Sequence, residues 1–202
     1  MDGLDAEALR RGIGLAAALI GSGAYVPYIH GTLTGRLVPE RASWLIWSVL
    51  SSIAFASLLA EGAGRALYFV GAQTGGTITV FLLSLRSGAG TTLSRIDLTV
   101  LAVSAIGLVL WYATGNPLYA LAISIAISAL AGSVTVTKAW RRPETETLAM
   151  WVPASLASGL AVLANDPGNW VGMVYPGFLC GLYGAIAGAM VLGRRMRTRR
   201  HA

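Results

Sequence analysis

Long apolar runs separated by short polar stretches dominate the chain, and seven of them stand out. They fall at about residues 12–29, 43–60, 66–85, 98–113, 117–136, 148–164 and 170–192, the fourth being the shortest. In a helix, about 20 apolar residues cross the hydrocarbon core of a bilayer. The pattern therefore predicts an all-α membrane protein with seven transmembrane helices. Glycine and proline inside the runs fit this reading, because small residues let membrane helices approach closely. The leader before the first run is acidic (Asp2, Asp5, Glu7), whereas a signal peptide starts basic. The first run is accordingly expected to stay as a helix.

Composition narrows the class further. Of 202 residues, 55% are hydrophobic and only 12% charged, with a mean hydropathy of +0.65. A soluble domain carries about a quarter of its residues charged, so a soluble globular enzyme and a disordered chain are both excluded. The net charge of +6 does not make a nucleic-acid surface. Five of the 15 basic residues sit in one tail (Arg194, Arg195, Arg197, Arg199 and Arg200), and no basic patch interleaves with aromatics. A single cysteine, Cys180, rules out an internal disulfide, and with only His30 and His201 there are too few ligands for a metal cluster. No cofactor is implied.

The basic residues do set an orientation. With seven spans, one side receives Arg10, Arg11 and Arg65, and the other receives Arg36, Arg41, Arg86, Arg95, Lys138, Arg141, Arg142 and the five tail arginines. The positive-inside rule then places the N-terminus outside and the C-terminus in the cytoplasm.

An internal repeat accompanies this alternation. Pro39-Glu40-Arg41-Ala42-Ser43-Trp44-Leu45-Ile46-Trp47 and Pro143-Glu144-Thr145-Glu146-Thr147-Leu148-Ala149-Met150-Trp151 share the pattern P-E-x-x-[S/T]-x-x-x-W, 104 residues apart. Each copy joins the first and second helix of a three-helix set. The expected plan is a single transmembrane domain over residues 1–202. It divides into repeat one at about 10–86, a linker helix at about 97–113, repeat two at about 117–193 and a basic cytoplasmic tail at 194–202. Parallel repeats about an axis along the membrane normal are a transporter plan.

On these residues the chain resembles the PQ-loop and SWEET superfamily of 3+1+3 membrane proteins, as a divergent bacterial branch. Pro27, Tyr28, Ile29, Thr34, Pro39, Ser43, Trp44 and Trp47 carry the likeness in the first half. Thr135, Lys138, Pro143, Glu144, Thr147 and Trp151 carry it in the second. Tyr28 stands in place of the name-giving glutamine, and Val134 in place of the second repeat's proline. The resemblance implies alternating-access transport of small molecules, a midplane pocket between the repeats, and hinge-like prolines near the cytoplasmic gate. Pro27 is the gating candidate, since it removes one backbone hydrogen bond near the end of the first span.

Candidate binding residues follow from the repeat. Trp47 and Ser51 correspond to Trp151 and Ser155, each serine one helical turn along from its tryptophan, and Ser158 extends the second face. A flat apolar platform with a few hydroxyls suits a polar small molecule. The same residues also read as interfacial anchors and small packing residues. Trp44 and Trp170, nearer the span ends, are expected to anchor. Gln73, the only glutamine, lies mid-span beside Thr74, where it either meets a substrate or bridges two helices. Its repeat equivalent is Gly177, and Tyr175, Cys180 and Tyr183 are the polar or polarisable options on the seventh span.

Chemistry beyond binding finds little support. Asp97 opens the fourth span as a helix-start acid, and Glu40, Glu144 and Glu146 are expected to pair within basic loops. No buried acid or histidine marks a proton path, which favours facilitated diffusion over proton symport. Gly21-Ser22-Gly23 has no histidine within reach for a serine protease, and the one lysine, Lys138, falls in a loop, not in a span where a retinal would need it. The chain is expected not to be an enzyme. The leading expectation is a small-solute transporter or facilitator, with lipid and a small sugar-like or other polar molecule as partners. The alternatives are a non-transporting receptor or interaction protein on the same scaffold, and a nicotinamide-riboside-type vitamin carrier stacking a heterocycle on Trp47 or Trp151.

Overall fold

A computed structural model describes residues 3–35, 41–87, 95–141, 143 and 147–200. Seven helices account for almost all of them, with no strand among the described residues: α1 (Gly3–Leu33), α2 (Arg41–Ala60), α3 (Ala66–Ser87), α4 (Arg95–Thr114), α5 (Leu118–Arg141), α6 (Leu148–Ala164) and α7 (Trp170–Arg200). Four of these, α1, α3, α5 and α7, contain stretches long and apolar enough to cross a membrane. The others carry shorter apolar stretches, Trp44–Ala60, Leu101–Thr114 and Leu148–Ala164. The protein is a helical membrane protein.

Each helix overlies its apolar run, α6 matching it end for end and others extending beyond it. α1 begins nine residues before its run, and α7 continues eight residues past its own. Hydropathy marks where lipid could lie, whereas an established helix propagates through Ala, Leu and Arg at little cost. For the same reason α5 runs on to Arg141, so Lys138 lies in its last turn and not in a loop. Turns are tight where the sequence supplies glycine. Gly62 closes the α2–α3 turn at φ +63° and Gly115 the α4–α5 turn at φ +67°, a region that a side chain strains to enter. At the start of α6, the Thr147 hydroxyl accepts the Ala149 N–H at 3.3 Å and caps the helix.

Packing sorts the helices by neighbour. α3 lies between α1 and α2, and α7 lies between α5 and α6. The backbones of α1 and α2 stand apart, as do those of α5 and α6. α1 also packs along α6, and α2 along α5, while α4 touches only α5 and α2. Burial runs opposite to a water-soluble bundle in places: Leu19 is 75% exposed and Leu130 72%, while Ser51, Ser57, Ser84 and Ser124 are buried. Leucine facing outward and hydroxyls facing inward is the arrangement lipid demands.

The two ends of the bundle differ. At the proximal end, where α1 begins, a core of Ala54, Leu58, Phe69, Val70, Ala157 and Ala161 fills the interior. Gly172 lets α7 meet the α2–α3 turn there, since a Cβ on it would lie 3.0 Å from the Ala63 carbonyl oxygen. At the distal end, where α7 finishes, the Arg41 guanidinium donates to the Ser84 carbonyl at 3.3 Å and Arg197 to that of Arg141.

Candidate functional site

Between these ends lies a central cavity of about 70 Å³ to which every helix except α4 contributes. A single water needs roughly 10–15 Å³ on this measure, so the cavity holds about five waters or one small solute. Each helix lends one face. Trp44, Trp47 and Ser51 come from α2, Gln73 and Thr77 from α3, and Ser128, Gly132 and Thr135 from α5. Tyr175, Leu179, Tyr183 and Ile186 form the α7 face, with Tyr25 from α1 and Met150 and Trp151 from α6. Spacings of three, four and seven residues place each set along one stripe of its helix.

Of the residues singled out from sequence, Trp47, Ser51, Gln73 and Trp151 meet in this lining. Ser155 and Ser158 do not. The Ser155 hydroxyl turns into the α6–α7 seam and donates to the Cys180 carbonyl at 3.0 Å, beside Gly184, whose missing side chain leaves it room. Ser158 is fully buried and donates back to the Ala154 carbonyl at 2.6 Å. The second Trp–Ser pair is thus split, because α6 is wedged between α1 and α7 and packs through its small residues. Pro27 is exposed and outside the lining, with α1 continuing helically beyond it to Leu33.

Trp44 departs from the anchoring expectation. It is 3% exposed, its indole N–H donates to the Tyr28 hydroxyl at 3.3 Å, and the Trp47 ring stands edge-on to it at 5.1 Å. Tyr25 approaches it at 6.4 Å, which makes an aromatic cluster at the distal side of the cavity. Trp170, 60% exposed at the start of α7, has the position of an anchor. Across the cavity Trp151 lies 5.5 Å from Tyr183.

On α2 and α3 the polar lining is self-engaged. Ser51 and Thr77 share a hydrogen bond of 3.0 Å, Thr77 donates to the Thr74 carbonyl at 2.9 Å, and Thr74 donates to the Ser51 carbonyl at 3.1 Å. These bonds stitch α2 to α3. The Gln73 amide N–H donates to the Tyr183 hydroxyl at 3.1 Å and so bridges α3 and α7. Its carbonyl oxygen is buried without a partner among the described residues. Among the described residues no carboxylate, ammonium, guanidinium or imidazole lines the cavity.

The charges gather instead at the proximal end. Asp166, in the α6–α7 turn, receives Arg65 of the α2–α3 turn at 3.0 Å and Arg10 of α1, while Arg65 also lies 3.6 Å from Glu7. This clasp ties three parts of the bundle above the closed core. The Arg65 guanidinium, then that of Arg10, holds the Asp166 carboxyl below its ordinary 3.8. A carboxylate with a lowered folded value stabilises the fold above its unfolded value and loses that contribution as pH falls through the folded one. Wild type is therefore expected to melt above Asp166→Asn at pH 5 and higher, with the gap closing below pH 3.8 and shrinking in high salt. Paired thermal melts in detergent across that range check it.

Glu40, Glu144 and Glu146, and with them Arg36, Pro39 and Arg142, lie outside the described residues. Asp97 sits in the first turn of α4 as expected, with its side chain outside the description. Sequence reading missed Thr77, Ser128 and Tyr25. Thr77 lies one turn from Gln73, and Ser128 two turns from Thr135, so a search for polar stripes at helical spacing would have found both. Tyr25 carries no such signal, because its place depends on how α1 crosses α3. No family model, no curated protein and no solved structure matches the chain.

Proposed function

We propose that the protein is a small-solute transporter or facilitator of the bacterial inner membrane, working by alternating access between α1–α3 and α5–α7. The observation that carries this reading is the cavity itself: both sets of three helices line it, and the proximal clasp and core close it on one side. A receptor without a transport path has no need of an uncharged space at the junction of the two sets. Two parallel three-helix repeats are supported by the packing, since exchanging α1, α2 and α3 for α5, α6 and α7 leaves the pattern of neighbours among these six helices unchanged. α2 ends at Ala60 and α6 at Ala164, and α3 begins at Ala66 and α7 at Trp170, each pair 104 residues apart. α4 then serves as the linker that lets both repeats run the same way. That plan is the one the PQ-loop and SWEET resemblance implies.

In this reading all seven helices cross the bilayer, the proximal end faces outward and the distal end the cytoplasm, in keeping with the arginine-rich distal loops and tail. Opening outward requires the clasp to part and the α3–α7 bridge through Gln73 to shift. The test is accessibility. In a Cys180→Ser background, cysteine at Asn116 or Asn169 reports the outer side and cysteine at Arg197 the inner. A Ser128→Cys probe in the cavity is expected to react with an impermeant maleimide from the cytoplasmic side, and from the outer side once Asp166→Asn loosens the clasp. One-sided labelling in both backgrounds would remove the transport reading.

A further inference from the structure

We infer that the solute taken up by the central cavity, which at about 70 Å³ must widen to admit an aromatic ring, is an uncharged planar ring compound presenting a single N–H or O–H donor, and not a polyol. This inference rests on the proposed transport site and names what that site selects. Three observations converge on it.

The first is the Gln73 carbonyl. Gln73 is 7% exposed and lines the central cavity, and also a smaller void of about 20 Å³ beside it. Its amide N–H is taken by Tyr183, while its carbonyl oxygen meets no donor. A buried acceptor left unmade costs about 1–3 kcal/mol, so the cavity favours an occupant that donates to it. The second is the state of the hydroxyls. The Thr77 proton goes to the Thr74 carbonyl and the Ser51 proton to Thr77 or to the Ser48 carbonyl. Ser51 and Thr77 can therefore serve a sugar's hydroxyls only by breaking the α2–α3 stitch. The third is the ring content. Trp44, Trp47, Trp151, Tyr25, Tyr175 and Tyr183 all border the space, and no charged group balances an ion there. Aromatic surface pairs best with another flat ring, stacked or edge-on.

Matched probes separate these requirements. Saturable binding to the purified full-length protein is measured for indole, for 1-methylindole, which keeps the ring and loses the donor, and for glucose. The expected result is indole bound about tenfold tighter than 1-methylindole, the worth of about one buried hydrogen bond, with glucose unable to compete. In Gln73→Met, close in shape but without the carbonyl, the preference for indole is expected to vanish while 1-methylindole binds as before. The wild-type comparison of the two indoles stands even if that variant does not fold. Equal affinity for the two indoles, or binding of glucose without indole, would overturn the ring-donor assignment and leave two-sided labelling of Ser128→Cys untouched. Failure of every probe together with one-sided labelling would remove the transport reading as well.

Discussion

Trp151→Ala is expected to destabilise the folded protein by about 3 kcal/mol, the lower end of the range for removing a tryptophan from a packed interior. Trp151 is 6% exposed and packs with Ala139 of α5 and with Ile186, Ala187 and Met190 of α7. Its ring also meets Tyr183 at 5.5 Å. Truncation opens a void where α5, α6 and α7 converge and joins it to the central cavity. The lower end of the range applies because, in a bilayer, burying indole gains packing contacts and little transfer free energy. Trp47→Ala should cost less, since Trp47 is only partly buried and its ring stands edge-on to Trp44. The pair therefore splits by readout: Trp151→Ala lowers the melting temperature in detergent, whereas Trp47→Ala weakens indole binding with the fold retained. Trp151→Phe should recover most of the stability, as the aromatic plate remains. Equal melting losses for both alanine variants would show that the two tryptophans are interchangeable packing residues.

The asymmetry of that pair shows where the sequence was informative and where it was not. Helix number and order follow from the apolar runs, because a long apolar stretch is visible in the sequence regardless of its neighbours. Trp47, Ser51, Gln73 and Trp151 were legible as site candidates for a local reason: a turn-spaced Trp–Ser pair, or an amide amid apolar residues, is visible in one segment. Ser155 satisfies the same local rule as Ser51, yet it faces Cys180 and not the cavity. Which face of α6 turns inward is decided by α1 and α7 packing on its alanines, and no single segment records that. Trp44 reads as an anchor from its distance to the span end, but Tyr28 and Tyr25 of another helix cover it. The clasp was equally hidden. Arg10 and Arg65 appear in the sequence as the minority of an orientation count, and only the fold places Asp166 between them.

Gly76→Ala, where α3 meets the Tyr25 ring beside the cavity, is expected to destabilise by about 1–3 kcal/mol through overpacking. A Cβ at this position would lie 2.6 Å from two carbons of the Tyr25 ring, closer than real carbon atoms approach. The ring cannot yield cheaply. Tyr25 is 8% exposed and bordered by Trp44 on one side, and the space on its other side is the cavity. Either α1 moves off α3, or Tyr25 rotates into the space a solute would fill. Both outcomes reduce indole binding and maleimide access to Ser128→Cys. The neighbouring Gly75 supplies the control, since it is exposed and a Cβ there meets nothing within 4 Å. Gly75→Ala should be neutral or slightly stabilising, alanine being the better helix former by about 1 kcal/mol. A second substitution isolates the cause: Tyr25→Leu, which removes the ring, is expected to restore the stability lost in Gly76→Ala, giving a favourable coupling in the double-mutant cycle. If Gly76→Ala melts with wild type and leaves Ser128→Cys as reactive as before, then α1 and α3 do not cross at Tyr25 and Gly76, and the cavity wall is built differently on that side.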